Sequence, residues 1–173
     1  MKTILFMAMS VNGYIARENG DEDFLSNKNW ETFCGLAKEC GCFVIGRKTY
    51  EAIQKWDEGY NFDSIEGVEK VIISRNKNFQ AGEKYIIANS PMDAISQLKA
   101  NGYDKILITG GATINSAFMK ERLIDEVILN VEPFMLGKGI SLFSTEEFGC
   151  RLDFLNVKEI GDAIIQFHYQ VLK

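Results

Sequence analysis

The chain has one histidine, two prolines and four cysteines among 173 residues. Each scarcity removes a class of protein. A single histidine, His168, cannot supply the histidine-rich ligand sets of catalytic zinc sites. The cysteines Cys34, Cys40, Cys42 and Cys150 match no zinc spacing and have no histidine beside them. They read as small, partly buried thiols of a reducing compartment. With so little proline and no low-complexity tract, no interdomain linker is visible, and there is no internal repeat. No apolar run reaches the ~20 residues that a bilayer crossing needs. The opening MKTILFMAMSVNGYIA has the apolar start of a leader peptide, but it lacks a small-residue cleavage site. It runs straight into a turn at Asn12-Gly13, so a buried first strand is the better reading. The net charge of −5 argues against a nucleic-acid partner, whose phosphates need clustered cations. What remains is one cytoplasmic domain over residues 1–173, with no metal, no membrane association and a small-molecule ligand.

The composition that is present, 46% hydrophobic and 25% charged, suits a globular domain with a sizeable core. Short apolar runs recur at 3–9, 42–46, 70–74, 84–88 and 105–109. Each is too short for a helix, and most are rich in β-branched residues. Such runs fit strands covered on both faces. Helical patterns lie between them. Residues 27–40 place Trp30, Phe33, Leu36 and Ala37 at helical spacing. Ser90-Pro91 with Asp93 is a helix start, and Gly102 a stop. Residues 111–122 carry a further helical pattern. Beyond a long strand at 125–135, the chain reads as a hairpin with a two-residue Gly161-Asp162 turn. The fold expected is α/β, a three-layer αβα sandwich. Its central sheet is mixed and mostly parallel, ending in an antiparallel C-terminal hairpin.

Ligands of such sheets bind at the carboxyl ends of the strands. Three ends stand out. In CFVIGRKTYE a strand stops at Gly46, and Arg47, Lys48 and Thr49 follow. In KVIISRN a strand stops at Ser74 and Arg75. In KILITGGATIN it stops at Gly110-Gly111, before Ala112 and Thr113. Each alone is either an ordinary strand-to-helix turn or an anion cradle. Glycine admits close backbone approach, and arginine suits a 2′-phosphate. Together they offer phosphate-binding chemistry along one edge.

These residues resemble the dihydrofolate reductase superfamily over nearly the whole chain. The branch most similar holds the C-terminal reductase domain of the bifunctional riboflavin-biosynthesis deaminase–reductase. MSVNGYIA is similar to that branch's S-x-D-G-x-I-A, FVIGRKTYE to G-R-K-T-[WY]-E, and VIISRN to a strand ending in S-R. ITGGATINSAFMKERLIDEV and PFMLGKG resemble its G-G-x-x-[IL]-N run, L-[IV]-D-E strand and P-x-x-L-G-x-G loop. The deaminase motifs H-x-E and P-C-x-x-C are absent.

The resemblance implies an NADPH-dependent reductase, acting as a homodimer on a pyrimidine- or pteridine-like substrate. Ala8 and Ile15 would meet the nicotinamide. Gly46, Arg47, Lys48 and Thr49 would face the pyrophosphate and 2′-phosphate. Ser74 and Arg75 would flank the adenosine phosphate, and Gly110, Gly111, Ala112 and Thr113 the nicotinamide ribose and pyrophosphate. Trp30, Phe33 and Lys138 would contact substrate. Folate reductases carry a carboxylate four residues before a phenylalanine of the first helix. Here that phenylalanine is Phe33 and the position is Asn29, which cannot act as an acid. Glu31 and the acidic loop Asp21, Glu22 and Asp23 are the substitute carboxylates, with Asn29, Glu31 and Asp23 the catalytic candidates. The alternatives are a dihydrofolate reductase, or a non-catalytic NADPH-binding protein that has lost its donor. Trp56 belongs to a loop over the site or to the core. His168, between Gln166 and Gln170 on the polar face of the last strand, reads as a surface or interface residue.

Overall fold

The computed structural model describes residues 1–56 and 60–173. The first strand, β1 (Lys2–Ser10), is buried along most of its length, as its apolar run requires. β2 (Tyr14–Ala16) follows, then α1 (Asn27–Cys40) and β3 (Cys42–Gly46). Gly41 links the last two in the left-handed region, φ 75°, donating its N–H to the Ala37 carbonyl. α2 (Arg47–Ile53) leads to β4 (Glu69–Ile73) and β5 (Tyr85–Ala88). α3 (Pro91–Ala100) starts as its sequence indicates. Pro91 opens the helix, and the Ser90 side chain accepts from the Asp93 N–H at 3.2 Å. β6 (Lys105–Ile108), α4 (Ala112–Lys120) and β7 (Glu126–Glu132) come next. The short β8 (Ile140–Ser141) precedes the hairpin of β9 (Arg151–Glu159) and β10 (Ile165–Leu172).

Eight strands form one sheet in the order β5-β4-β3-β6-β1-β7-β10-β9. The pairings from β5 through β7 are parallel, and those of β10 with β7 and β9 are antiparallel. This is the mixed αβα sandwich expected of the sequence. Alternate residues of the central strands feed two cores. Val44, Ile106 and Ile108 pack with Leu98, Ile114 and Phe118 of α3 and α4. Phe43, Ile45 and Leu107 point the other way, onto Phe33 and Ala37 of α1. All five residues of β3 are buried, the pattern of a strand covered on both faces.

The hairpin departs from the sequence reading. Five residues, not two, join β9 to β10. Asp162 and Ala163 both take positive φ, and Ile160 donates to the Ile164 carbonyl. The P-F-M-L-G-K-G loop is tied down by Asn12. Its Oδ1 accepts from the Leu136 N–H at 3.1 Å, and its Nδ2 donates to the Leu136 carbonyl at 2.7 Å. β2 then pairs with β8 as a separate ribbon. A Cβ on Gly139 would lie 2.4 Å from the Ala16 carbonyl, so only glycine lets the ribbon close.

Candidate active site

The strand order decides which ends meet. β4, β3 and β6 are consecutive in the sheet, so Ser74, Gly46 and Thr109-Gly110 lie side by side. Two inter-strand spacings make this edge ~10 Å wide. The Gly46 N–H donates to the Gly110 carbonyl at 2.8 Å and joins two of the three turns. A side chain would collide at Gly46 and be tight at Gly111. A Cβ on Gly46 would stand 2.7 Å from Ile114 Cγ1, and one on Gly111 would stand 3.2 Å from Thr49 Oγ1. Gly110 has φ +88°, in the region that favours glycine, and the Gly110–Gly111 peptide is cis. Behind Gly110, the buried Asn115 Oδ1 has no partner among the described residues. Arg47 is half-buried and 3.5 Å from Glu51, while Lys48 and Arg75 are exposed beside the edge. Small residues where a backbone must approach and cations at the rim fit a dinucleotide phosphate cradle, while the unpaired Asn115 oxygen is an acceptor and suits a hydroxyl donor instead.

A cavity of about 480 Å³ opens next to this edge. Ala8 near the end of β1, Ile15, Thr49 and Thr109 form its floor and the wall toward the sheet edge. The opposite wall is aromatic. Trp30 stacks on Phe62 with centroids 5.8 Å apart, and Tyr60 meets Trp30 edge-on at 5.7 Å. Phe33 is 4% exposed and completes the cluster from α1. Trp56 lines the cavity and also packs against the α1-side core. The rest of its loop, residues 57–59, lies outside the described residues. Such a slot, apolar with a few polar groups, suits a flat heterocycle.

The acidic loop forms the third wall, and its three carboxylates differ. Asp23 is exposed and held by Arg17 through Nε and Nη2, the latter at 3.0 Å. That bond holds its carboxyl below the usual range and raises the arginine in turn. Asp21 is exposed. Glu22 is only half-buried by surface area, but its carboxyl is packed among neighbouring atoms. Burial first, and the Asp21 charge second, push its pKa up to about 8. Burial thus pushes Glu22 toward its protonated form, whereas Arg17 favours the ionised form of Asp23.

The other sequence candidates fall in different places. Asn29 lines the cavity and is 6% exposed. Glu31 is exposed on the outer face of α1, bound to Lys28 at 2.7 Å and Asn27 at 3.2 Å, away from the cavity lining. Helical geometry explains this, because a residue two positions from Asn29 faces elsewhere. Lys138 sits on the exposed turn before Gly139, 3.5 Å from Glu18, and also outside the lining. The cation that does line the cavity is Lys55. His168 faces Glu126 at 2.9 Å on the sheet, far along β10 from this edge. Sequence reading passed over Glu132. It closes a strand that also opens on a glutamate, yet it is buried behind Asn29 and bonded to it. The alternation of β7, with Val127, Leu129 and Val131 on one face, puts Asn130 and Glu132 together on the other.

A sheet of this order, with a glycine-built cradle beside an aromatic slot, defines a dihydrofolate-reductase-like domain. The family model of the RibD C-terminal domain matches residues 1–166, and the chain belongs to that family. Two uncharacterised proteins of Bacillus subtilis (strain 168) are similar over 97% of this chain. YwjB is 30% identical, with 97% of its own length covered, and YyaP is 23% identical, with 94% covered. Among solved structures, a putative riboflavin biosynthesis protein from Shewanella sp. PV-4 superposes with a TM-score of 0.81. It is 28% identical, and both chains are fully covered. RibD of Acinetobacter baumannii gives the same TM-score at 20% identity. This chain matches only 58% of that longer protein.

Proposed function

We propose that the protein is an NADPH-dependent reductase of a pyrimidine- or pteridine-like heterocycle. The reaction suggested is that named for the Thermotoga maritima deaminase/5-amino-6-(5-phosphoribosylamino)uracil reductase, whose fold this chain shares. The observation that carries the reading is the adjacency of the β4, β3 and β6 ends beside the aromatic slot. Bound there, NADPH would supply a hydride to an electrophilic C=N or C=O. Gly46, Gly110 and Gly111 would admit its phosphates, and Arg47, Lys48 and Arg75 would neutralise them, Arg75 serving the 2′-phosphate end. Ala8 and Ile15 would support the nicotinamide. Trp30, Phe33 and Phe62 would hold the heterocycle flat against it and exclude water. Glu22, rather than Asp23 or Glu31, would give up the proton that accompanies the hydride. Lys55, which lines the cavity, would meet a substrate phosphate rather than Lys138. Asn29 stands where a folate reductase has its acid, and it is already engaged on both sides, which argues against dihydrofolate.

Titration with NADPH should quench tryptophan fluorescence, from Trp30 and Trp56, with micromolar affinity. Oxidation of NADPH should then follow addition of 5-amino-6-(5-phosphoribosylamino)uracil. Absence of NADPH binding would end the reading. Faster turnover of dihydrofolate would move it to the alternative substrate. Tight NADPH binding with no turnover of any pyrimidine or pterin would favour a non-catalytic binding protein.

A further inference from the structure

The far end of α4 from the cradle holds a second cavity, of about 400 Å³. Gly111 of the cradle is the N-cap of that helix, while Met119 and Lys120 of its last turn line the second cavity. Nine helical residues put ~13 Å between the two. No residue lines both cavities.

The floor of this cavity is core. Ile124 is 1% and Met119 8% exposed, and Phe148 and Val171 pack against the same cluster. The rest of the lining is cationic. Lys120, Arg122, Arg151 and Lys173 contribute to it, with one acidic side chain, Glu147. In a chain of net charge −5 this reverses the sign locally. Two of the four cations are already engaged. Lys120 is held by Glu146 at 2.8 Å, and Lys173 by Asp125 at 2.6 Å. Arg122 and Arg151 form no ion pair among the described residues.

Helix electrostatics accounts for part of this. Arg122 follows the C-cap Glu121, where the last carbonyls of α4 attract a cation. The helix ends in a Schellman motif. The Arg122 N–H donates to the Met119 carbonyl at 3.0 Å, and the Leu123 N–H to the Phe118 carbonyl at 2.9 Å. Arg122 has φ +55°, at the position in that motif where glycine is the usual residue. Glycine would close the turn with less strain, so the backbone gives no reason for an arginine there. Arg151 opens β9, and no helix end accounts for it. Two unpaired guanidinium groups from separate parts of the chain therefore meet one apolar floor.

We propose that this second cavity binds a small organic phosphate monoester, with its head on Arg122 and Arg151 and its apolar body on Met119, Ile124 and Phe148. Charge selects the head. A phosphate monoester carries about −1.5 to −2 at neutral pH and matches two free cations, whereas a carboxylate matches one. The guanidinium fork fits phosphate oxygens in pairs. The floor selects the body, since inorganic phosphate would leave it uncovered. This site is independent of the reductase reading.

The test is an NMR titration of the intact, 15N-labelled chain in a buffer without phosphate, with phenyl phosphate as the probe. The amides of 119–122 and 148–151 should shift together and saturate, with a Kd on the order of 1 mM for a probe of this size. Benzoate, benzyl alcohol and inorganic phosphate should each bind about 10-fold more weakly or worse, for want of a charge, a head or a body. Arg122→Gly places the usual residue in the Schellman turn, so it keeps the fold while removing the cation. It should weaken phenyl phosphate by about 10-fold or more, and Arg151→Gln should do the same. Lys99→Gln, on the exposed end of α3, makes the same change in net charge elsewhere and should leave the Kd unchanged. Benzoate, benzyl alcohol or inorganic phosphate binding as tightly as phenyl phosphate overturns the proposal. So do shifts that never saturate or that are confined to Gly46, Gly110 and Gly111. Wild-type affinity in both arginine variants, or an equal loss in Lys99→Gln, overturns it as well.

Discussion

Replacing Glu22 by glutamine tests the physical basis of the proton source without any substrate. The carboxyl moves from an ordinary 4.5 to about 8 on folding, with burial as the main cause. Below about pH 4.5 it is protonated in both the folded and unfolded chain, and folding pays nothing for it. Between about pH 4.5 and 8 the unfolded chain ionises while the folded chain must keep its proton, so stability falls as pH rises. Above about pH 8 the full cost is present. At about 1.4 kcal/mol per tenfold change, the ceiling is about 5 kcal/mol. A smaller difference would mean a folded-state pKa well below about 8, so about 5 kcal/mol is the size that goes with this shift. For a chain of this length that is a melting-point difference of about 10–20 °C. Thermal unfolding of wild type and Glu22→Gln, scanned from about pH 5 to pH 9, should therefore diverge with pH. The variant should be nearly equal to wild type at the acid end and more stable at the alkaline end. A difference that stays flat across this range, or a variant less stable at high pH, would refute the assignment.

Other outcomes follow from the same geometry. In steady state, kcat/KM of the wild type should fall above about pH 8 as Glu22 loses its proton, and Glu22→Gln should lose most of its kcat while keeping its Kd for NADPH. Gly111→Ala should weaken NADPH binding by on the order of 10-fold or more with little loss of stability. Its Cβ meets only Thr49 Oγ1, at 3.2 Å. Gly46→Ala should also cost about 1–3 kcal/mol of stability, because Ile114 must move; calorimetry separates the two. Burial would raise the carboxyl of Glu126, but hydrogen bonds from Lys2 and His168 outweigh it and hold it below the usual range. Glu126→Gln should then lose about 1 kcal/mol near neutral pH, a deficit that vanishes as acid protonates the wild-type group. We also propose that the fully exposed edge strand β9 pairs two copies of the chain. Light scattering should give a dimer, and Phe154→Glu, on a residue 61% exposed, a monomer.

The local elements were legible because their signals are local. Short β-branched runs such as CFVIG fit strands covered on both faces, and Ser90-Pro91 with Asp93 has the residues of a helix start. The crowding at Gly46 and Gly111 was legible for the same reason, since a missing side chain is a statement about close approach. The connection at 160–164 was not, because Gly161-Asp162 suits a tight turn and only strand register decides how many residues are left over. Among the acidic residues the sequence had no means of ranking Asp21, Glu22, Asp23 and Glu31. Their fates depend on Arg17, on Lys28 and on burial.

By itself, then, the sequence determined the class of fold and the chemistry offered at each strand end, because both depend on neighbours along the chain. It could not determine which ends become adjacent. That came from the sheet order, which sets β3 between β4 and β6 although β6 arrives some sixty residues after β3 in the chain. Nor could it show that Asn29 is buried against Glu132, its hydrogen-bond partner 103 positions away. Only the pairing of β7 beside β1 carries that carboxylate to the start of α1, where it also accepts the Ser26 N–H.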